Sequence, residues 1–133
     1  MTRPTDTNRR STIKTQRAPA AIGPYSQAKR AGDTLYCSGQ IAIDPNSGQL
    51  IENGIEAETE QVLDNIEAVL HSAGMEFDNV VRCTVYLSDI DDYGQVNEVY
   101  SRYFSESPPS RIAVEVANLP RGAGVEIACI AVD

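Results

Sequence analysis

Arg111 is the side chain whose type and surroundings best suit it to binding a small acid. It lies on a predicted strand and shares one face of that strand with Ala113 and Glu115. A guanidinium beside small neighbours leaves a hollow in which its planar fork can hold a carboxylate through two hydrogen bonds. Pro108 and Pro109 precede it and restrict the backbone. The pattern alone leaves a second interpretation open, in which an exposed arginine pairs with a structural acid.

Glu126 is a second charged residue, placed among apolar residues on the last predicted strand. We expect the last two strands to form a plain hairpin centred near Arg121. In that pairing Arg111 lies opposite Ala131. Glu126 then lies opposite Val116, and the two charges are separated by ~16 Å within one chain. If they act together, they must meet across a subunit boundary.

The other polar or reactive side chains give weaker evidence of a functional site. Asn97 falls inside the apolar stripe of a predicted helix, between Tyr93 and Tyr100, where it is either a satisfied core amide or a site residue. Cys37, Cys83 and Cys129 are far apart and lack metal-ligand spacing, so they indicate neither a zinc site nor a disulfide framework. His71 is the only histidine, which disfavours a Ser-His-Asp hydrolase. Without metal-ligand spacing the sequence predicts no metal site, and without a glycine-rich phosphate loop it predicts no nucleotide cofactor.

Charge is distributed unevenly along the 133 residues, whose formal net charge is −8. Residues 1–18 carry +4, which leaves −12 for the rest. We expect residues 1–18 to be a basic, flexible tail and residues 19–133 to be a single domain. An acidic body repels phosphate backbones and disfavours nucleic-acid binding. The sequence shows no membrane span and no secretory signal, so we expect a cytoplasmic protein.

Hydrophobic periodicity indicates a mixture of strands and helices. The pattern predicts a strand over 35–43, a turn over 44–48, a helix over 56–73, a strand over 80–87, a helix over 91–105, and strands over 111–117 and 125–132. Because this order lacks regular βα alternation, we expect an α+β sandwich with its helices on one sheet face. The helices are too few to cover both faces, so we expect copies of the chain to cover the other.

Several motifs occur in a fixed order along the chain. They are GPYSQA at 23–28, GDTLY at 32–36, SGQ at 38–40, TVYL at 84–87, VN at 96–97, YF at 103–104, PPSR at 108–111, LP at 119–120 and VEI at 125–127. Together, over about residues 17–132, they resemble the RidA (reactive intermediate deaminase) family. The resemblance implies a chorismate-mutase-like fold, with one mixed sheet and two main helices on one face. It also implies a homotrimer with a central barrel-like core and active sites between subunits.

The resemblance further implies an activity, which is hydrolysis of 2-iminobutanoate and 2-iminopropanoate to 2-oxo acids and ammonia without a cofactor. Pyridoxal-phosphate-dependent dehydratases would supply these substrates. Matched by position, Arg111 corresponds to the carboxylate-binding arginine and Glu126 to the glutamate that orients or activates water. The cleft-lining positions correspond to Tyr25, Ser38, Gly39, Asn97 and Ala113. Ala113 stands where typical members have a cysteine.

Two other functions remain open from the sequence. A chorismate mutase-like enzyme would also use arginine and glutamate in clefts between subunits, but it would need several cationic groups for a dicarboxylate. Apart from Arg111, the matching positions are neutral or acidic. A non-catalytic trimer that binds 2-oxo acids is the other alternative. It would bind such acids without accelerating the decay of imines.

Overall fold

The computed structural model describes residues 9–104 and 106–133. Its six strands are β1 (Arg10–Ile13), β2 (Ala28–Ala31), β3 (Thr34–Gln40), β4 (Val80–Leu87), β5 (Ser110–Glu115) and β6 (Val125–Val132). Its helices are α1 (Ile55–Ser72) and α2 (Tyr93–Tyr103), and three short 3₁₀ turns cover Phe77–Asn79, Ile90–Asp92 and Pro120–Gly122. Among these residues, neither helix is long and apolar enough to cross a bilayer.

The strands form one mixed sheet in the order β1-β2-β3-β6-β4-β5. Every neighbouring pair is antiparallel except β4 and β5, which are parallel and are connected through α2. Helix α1 packs against α2, β3 and β6 on one side of this sheet. The predicted α+β class, with one mixed sheet and two main helices, is confirmed.

The core lies between the helices and one face of the sheet. On β6 the alternate residues Val125, Ile127 and Cys129 are buried, as the period-2 pattern predicts. The stripe of α1 contributes Val62, Leu63, Ile66, Val69 and Leu70, all essentially inaccessible to solvent. Burying one such side chain stabilises the fold by roughly 1.5–3 kcal/mol.

The opposite face of the sheet carries exposed apolar side chains. Tyr36, Ile112, Val114 and Val132 point to this face and are 39–51% exposed. No helix among the described residues covers them. The sheet therefore has one face packed against helices and one apolar face open to solvent, as expected from the sequence.

The predicted hairpin between the last two strands is wrong. Strands β5 and β6 lie on either side of β4 and do not pair with each other. Arg111 lies beside Cys83 of β4, not opposite Ala131. Helix α2 returns the chain so that β5 runs parallel to β4 and forms the edge of the sheet. The long segment 116–124 then carries the chain past β4 to β6. Glu126 therefore pairs with Tyr86, not with Val116.

Strands β1 and β2 were not expected individually from the sequence. Residues 1–8 of the predicted tail lie outside the described residues, whereas Arg10–Ile13 form the outermost strand of the sheet. The buried Gln27 holds the segment after β1, because its Nε2 donates to the Pro19 carbonyl at 2.8 Å and its Oε1 accepts from the Thr15 amide at 2.7 Å. The tail boundary at residue 18 stays a prediction.

We predict that Asn65→Ala lowers the free energy of unfolding by about 1–3 kcal/mol. Asn65 is buried on α1, and its Nδ2 donates to the carbonyl of Ile43 at 2.9 Å, which ties the helix to the chain after β3. Urea denaturation followed by circular dichroism measures the change. His71→Ala, an exposed position on the same helix, should change stability by less than about 0.5 kcal/mol. Equal effects of the two substitutions would contradict the prediction.

Candidate active site

Arg111 lies at the edge of the sheet, on the face that the helices cover. Its partner in the ladder, Cys83, is buried in the core, and paired residues point to the same face. The guanidinium carbon lies 4.8 Å from the ring centre of Tyr100 and 5.5 Å from that of Tyr93. Both distances suit an attraction between a cation and an aromatic ring. Helix α2 therefore supplies two aromatic rings that hold the guanidinium in place.

No carboxylate of residues 9–104 and 106–133 forms an ion pair with Arg111. Glu115, which shares its strand face, instead accepts a hydrogen bond from the amide of Ile90 at 2.8 Å. The interpretation that Arg111 pairs with a structural acid therefore finds no support among these residues. A partly buried guanidinium without a counterion is suited to binding an anion.

Tyr93 is a site residue that the sequence did not single out. Its hydroxyl accepts a hydrogen bond from Nη2 of Arg111 at 2.9 Å. Asn97 follows one turn later on α2, and its amide, together with the nearby positive charge of Arg111, lowers the pKa of the Tyr93 phenol. Asn97 is only partly buried, and it lies next to Tyr93, the residue that contacts Arg111. The spacing of four residues between Tyr93 and Asn97 is visible in the sequence, but an aromatic residue at that spacing predicts a place in the apolar stripe.

Tyr100 is buried, and its ring lies between the guanidinium and the core. Burial raises the pKa of its phenol, and its hydroxyl has no hydrogen-bond partner among the described residues. The thiol of Cys83 lies close to it, and burial raises the pKa of that thiol as well. Ala113, two residues after Arg111 on the same face, is partly buried and small. Arg111, Tyr93, Asn97, Tyr100 and Ala113 are called the arginine cluster below.

Glu126 lies on the opposite face of the sheet. Its ladder partner is Tyr86, an odd number of residues from Cys83 on the same strand, and side chains alternate between faces. Partial burial raises the pKa of the Glu126 carboxyl. A Cβ added at Gly39 would overlap this carboxylate, so the glycine lets it approach the backbone of β3.

Ser38 and Tyr25 lie on the same side of the molecule as Glu126. The Ser38 hydroxyl donates to the carbonyl of Ser26 at 2.6 Å, which joins β3 to the segment that carries Tyr25. Tyr25 is 48% exposed, and with Gly39 it lines one small hollow. Glu126, Gly39, Ser38 and Tyr25 are called the glutamate cluster below.

The residues predicted for one site therefore form two separate clusters in a single chain. From Arg111 to Glu126 the sheet crosses two strand spacings and three residues, which corresponds to ~14 Å between Cα atoms. The side chains also point to opposite faces. The predicted separation is thus retained, although the hairpin from which it was calculated is wrong.

Among the described residues, no group of histidine, cysteine, aspartate and glutamate side chains is arranged to hold a metal ion. Cys37, Cys83 and Cys129 are free thiols, buried side by side on neighbouring strands. The three cysteines are therefore small buried residues of the core.

The fold and these clusters define a small α+β protein, with a guanidinium on one sheet face that pairs with no described carboxylate and a partly buried carboxylate on the other. The family model described as Endoribonuclease L-PSP matches residues 15–133. The chain belongs to this family, which is the RidA family that its motifs resemble.

Individual relatives agree over nearly the whole chain. The 2-iminobutanoate/2-iminopropanoate deaminase of Mus musculus is 53% identical over 123 residues, which cover 92% of this chain and 91% of the relative. The crystal structure of RidA from the Antarctic bacterium Psychrobacter sp. matches with a TM-score of 0.90 at 45% identity, covering 92% and 99% of the two chains. That of E. coli TdcF with bound serine matches with a TM-score of 0.89 at 36% identity, covering 92% and 98%.

Proposed function

We propose that this protein hydrolyses small 2-imino acids, such as 2-iminobutanoate and 2-iminopropanoate, to 2-oxo acids and ammonia. The observation that carries the proposal is the guanidinium of Arg111, held between two tyrosine rings and unpaired with any described carboxylate. A relative with 53% identity bears the name of this activity, and a structural relative holds serine, itself a small amino acid. The net charge of −8 disfavours RNA as the substrate.

The active site would form between copies of the chain in a homotrimer. Arg111 and Glu126 point to opposite faces of one sheet, so one copy cannot bring them to the same small molecule. The open face carries Tyr36, Ile112 and Val114, and covering it with other copies would remove apolar surface from water. Such an assembly would leave a cleft in which the arginine cluster of one copy faces the glutamate cluster of the next.

The reaction requires little catalytic power, because a protonated imine is already a strong electrophile. Arg111 would bind the carboxylate and fix the imine carbon next to a water held by Glu126. The carboxylate of Glu126 takes a proton as the water oxygen bonds to carbon, and the electron pair of the C=N bond moves to nitrogen. The resulting carbinolamine transfers its hydroxyl proton to nitrogen. Its C–N bond then breaks, which releases ammonia and leaves the 2-oxo acid.

The remaining cluster residues would shape the cleft. Tyr25 would form one wall, and the backbone at Ser38 and Gly39 would hydrogen-bond the leaving amine. Asn97 would steady Tyr93 beside the guanidinium, and the small Ala113 would leave room for the substrate. Because the imine needs no further activation, no cofactor is required.

The chemistry of the substrate indicates where such an enzyme would act. Free 2-imino acids leave pyridoxal-phosphate-dependent dehydratases and react with other enzymes if they persist. The protein would therefore work beside these dehydratases, which we place in the cytoplasm. It would need no stable contact with them, since the substrate is a diffusible small molecule.

We predict that Arg111→Lys lowers kcat/KM by about 10- to 100-fold, because an ammonium cannot reproduce two parallel charge-assisted hydrogen bonds. A threonine dehydratase or an amino-acid oxidase generates the imine, and semicarbazide traps what remains. Arg102→Lys, an exposed position on α2, is the matched control and should keep full activity. Near-full turnover by Arg111→Lys would rule out the two-bond clamp.

The same assay separates the proposed function from its alternatives. A wild-type protein that binds 2-oxobutanoate without accelerating imine decay would favour the non-catalytic binding protein. Loss of chorismate in a direct assay would favour the mutase.

We predict that, as the solution is acidified, the contribution of Glu126 to activity is lost at a higher pH than it would be with a glutamate of ordinary pKa. Burial raises the pKa of this carboxyl, and only its ionised form accepts a proton, so the loss occurs as the pH falls through that raised value. The measurement is the ratio of wild-type to Glu126→Gln kcat/KM across pH, which cancels the titration of the substrate. At neutral pH the ratio should be about 10²–10⁴. A ratio near one, or one independent of pH, would exclude Glu126 as the base.

A further inference from the structure

We propose that Tyr93 is a second carboxylate-binding group, whose phenolic hydroxyl donates a hydrogen bond to the substrate carboxylate beside the guanidinium of Arg111. This inference rests on the proposed function, which it extends from one binding residue to a phenol–guanidinium pair. It assigns a role to a helix residue that the sequence placed in an apolar stripe.

The position of the phenol is the first support. Tyr93 is the first residue of α2, and 40% of its surface is exposed, so its hydroxyl is accessible from solvent. The hydroxyl oxygen lies 2.9 Å from Nη2 of Arg111. A carboxylate that binds the remaining N–H groups of the guanidinium would therefore lie within reach of the phenol.

The second support is which group donates and which accepts in the contact between Tyr93 and Arg111. An arginine has donors and no acceptor, so the Tyr93 oxygen must accept from Arg111. The nearby Asn97 amide and the positive charge of Arg111 both lower the pKa of the phenol. A hydroxyl has two acceptor positions and one hydrogen, so the bond from Arg111 leaves the hydroxyl hydrogen free to be donated. Among the described residues, the Tyr93 hydroxyl is found accepting from Arg111 and donating to no group.

The charge of the surroundings is the third support. The positive guanidinium attracts an anion to the position where the free hydroxyl hydrogen can meet it. Because the charged Arg111 donor pulls electron density from the Tyr93 oxygen, the phenol becomes a stronger donor. Ring and hydroxyl make separate contacts, since the ring centre lies 5.5 Å from the guanidinium carbon and the hydroxyl oxygen lies 2.9 Å from Nη2. Tyr93→Phe therefore removes the proposed bond and keeps the packing.

Calorimetric binding of 2-oxobutanoate, the stable product, tests the inference without requiring turnover. Tyr93→Phe should weaken this binding about tenfold, as loss of a hydrogen bond to a charged group predicts. It should leave the much weaker binding of 2-oxobutanamide, which lacks the carboxylate, unchanged. Tyr103→Phe is the matched control on the same helix, because it loses a hydroxyl that donates to Asp64 at 3.0 Å. Equal binding of 2-oxobutanoate by wild type and Tyr93→Phe would overturn the inference.

A second background distinguishes direct contact from an effect transmitted through Arg111. In Arg111→Lys, which keeps a cation, adding Tyr93→Phe should weaken binding again by several-fold. No further loss would mean that Tyr93 only positions the arginine, and the proposed contact would be wrong. A wild type that does not hydrolyse imines, together with weaker binding of 2-oxobutanoate by Tyr93→Phe, would contradict the proposed function and support the Tyr93 contact.

Discussion

The alternation of side chains along β4 is the constraint on which the candidate site depends. Cys83 fixes the face of Arg111, and Tyr86 fixes the face of Glu126, because each pair shares one position in the ladder. Because Cys83 and Tyr86 are an odd number of residues apart on a regular strand, the two charged side chains point to opposite faces. A slip of one residue in either pairing would reverse one of them, and the core packing of Cys83 and Val85 opposes such a slip.

The same arrangement explains how a small core supports an exposed charge. One row across the sheet runs from Cys37 through Cys129 and Cys83 to Arg111. The three thiols are buried beneath the helices, whereas the fourth position lies at the sheet edge, where the first turns of α2 cover it with tyrosine rings. The guanidinium therefore has a rigid aromatic support and an open side toward solvent. The glutamate cluster is fixed independently, by the close approach of Gly39 to Glu126.

Sequence periodicity predicted both helices to within two residues at each end, because their apolar stripes are long. Alternation likewise found β4 and β6. The short strands β1 and β2 carry too few buried residues to show a pattern. Strand pairing failed for β5 and β6, since periodicity gives the faces of a strand but not its neighbours. Tyr93 was missed because an aromatic residue at helical spacing has the same pattern whether it packs in a core or binds an arginine.

The central claim is that Arg111 of one copy and Glu126 of another complete a single site. The most direct measurement mixes two inactive variants, Arg111→Ala and Glu126→Gln, after joint unfolding and refolding, with mixed assemblies verified by native mass spectrometry. If each site takes its arginine from one copy and its glutamate from the next, random equal mixing should restore about one quarter of wild-type activity. Mixed assemblies with no more activity than either variant alone would contradict the account.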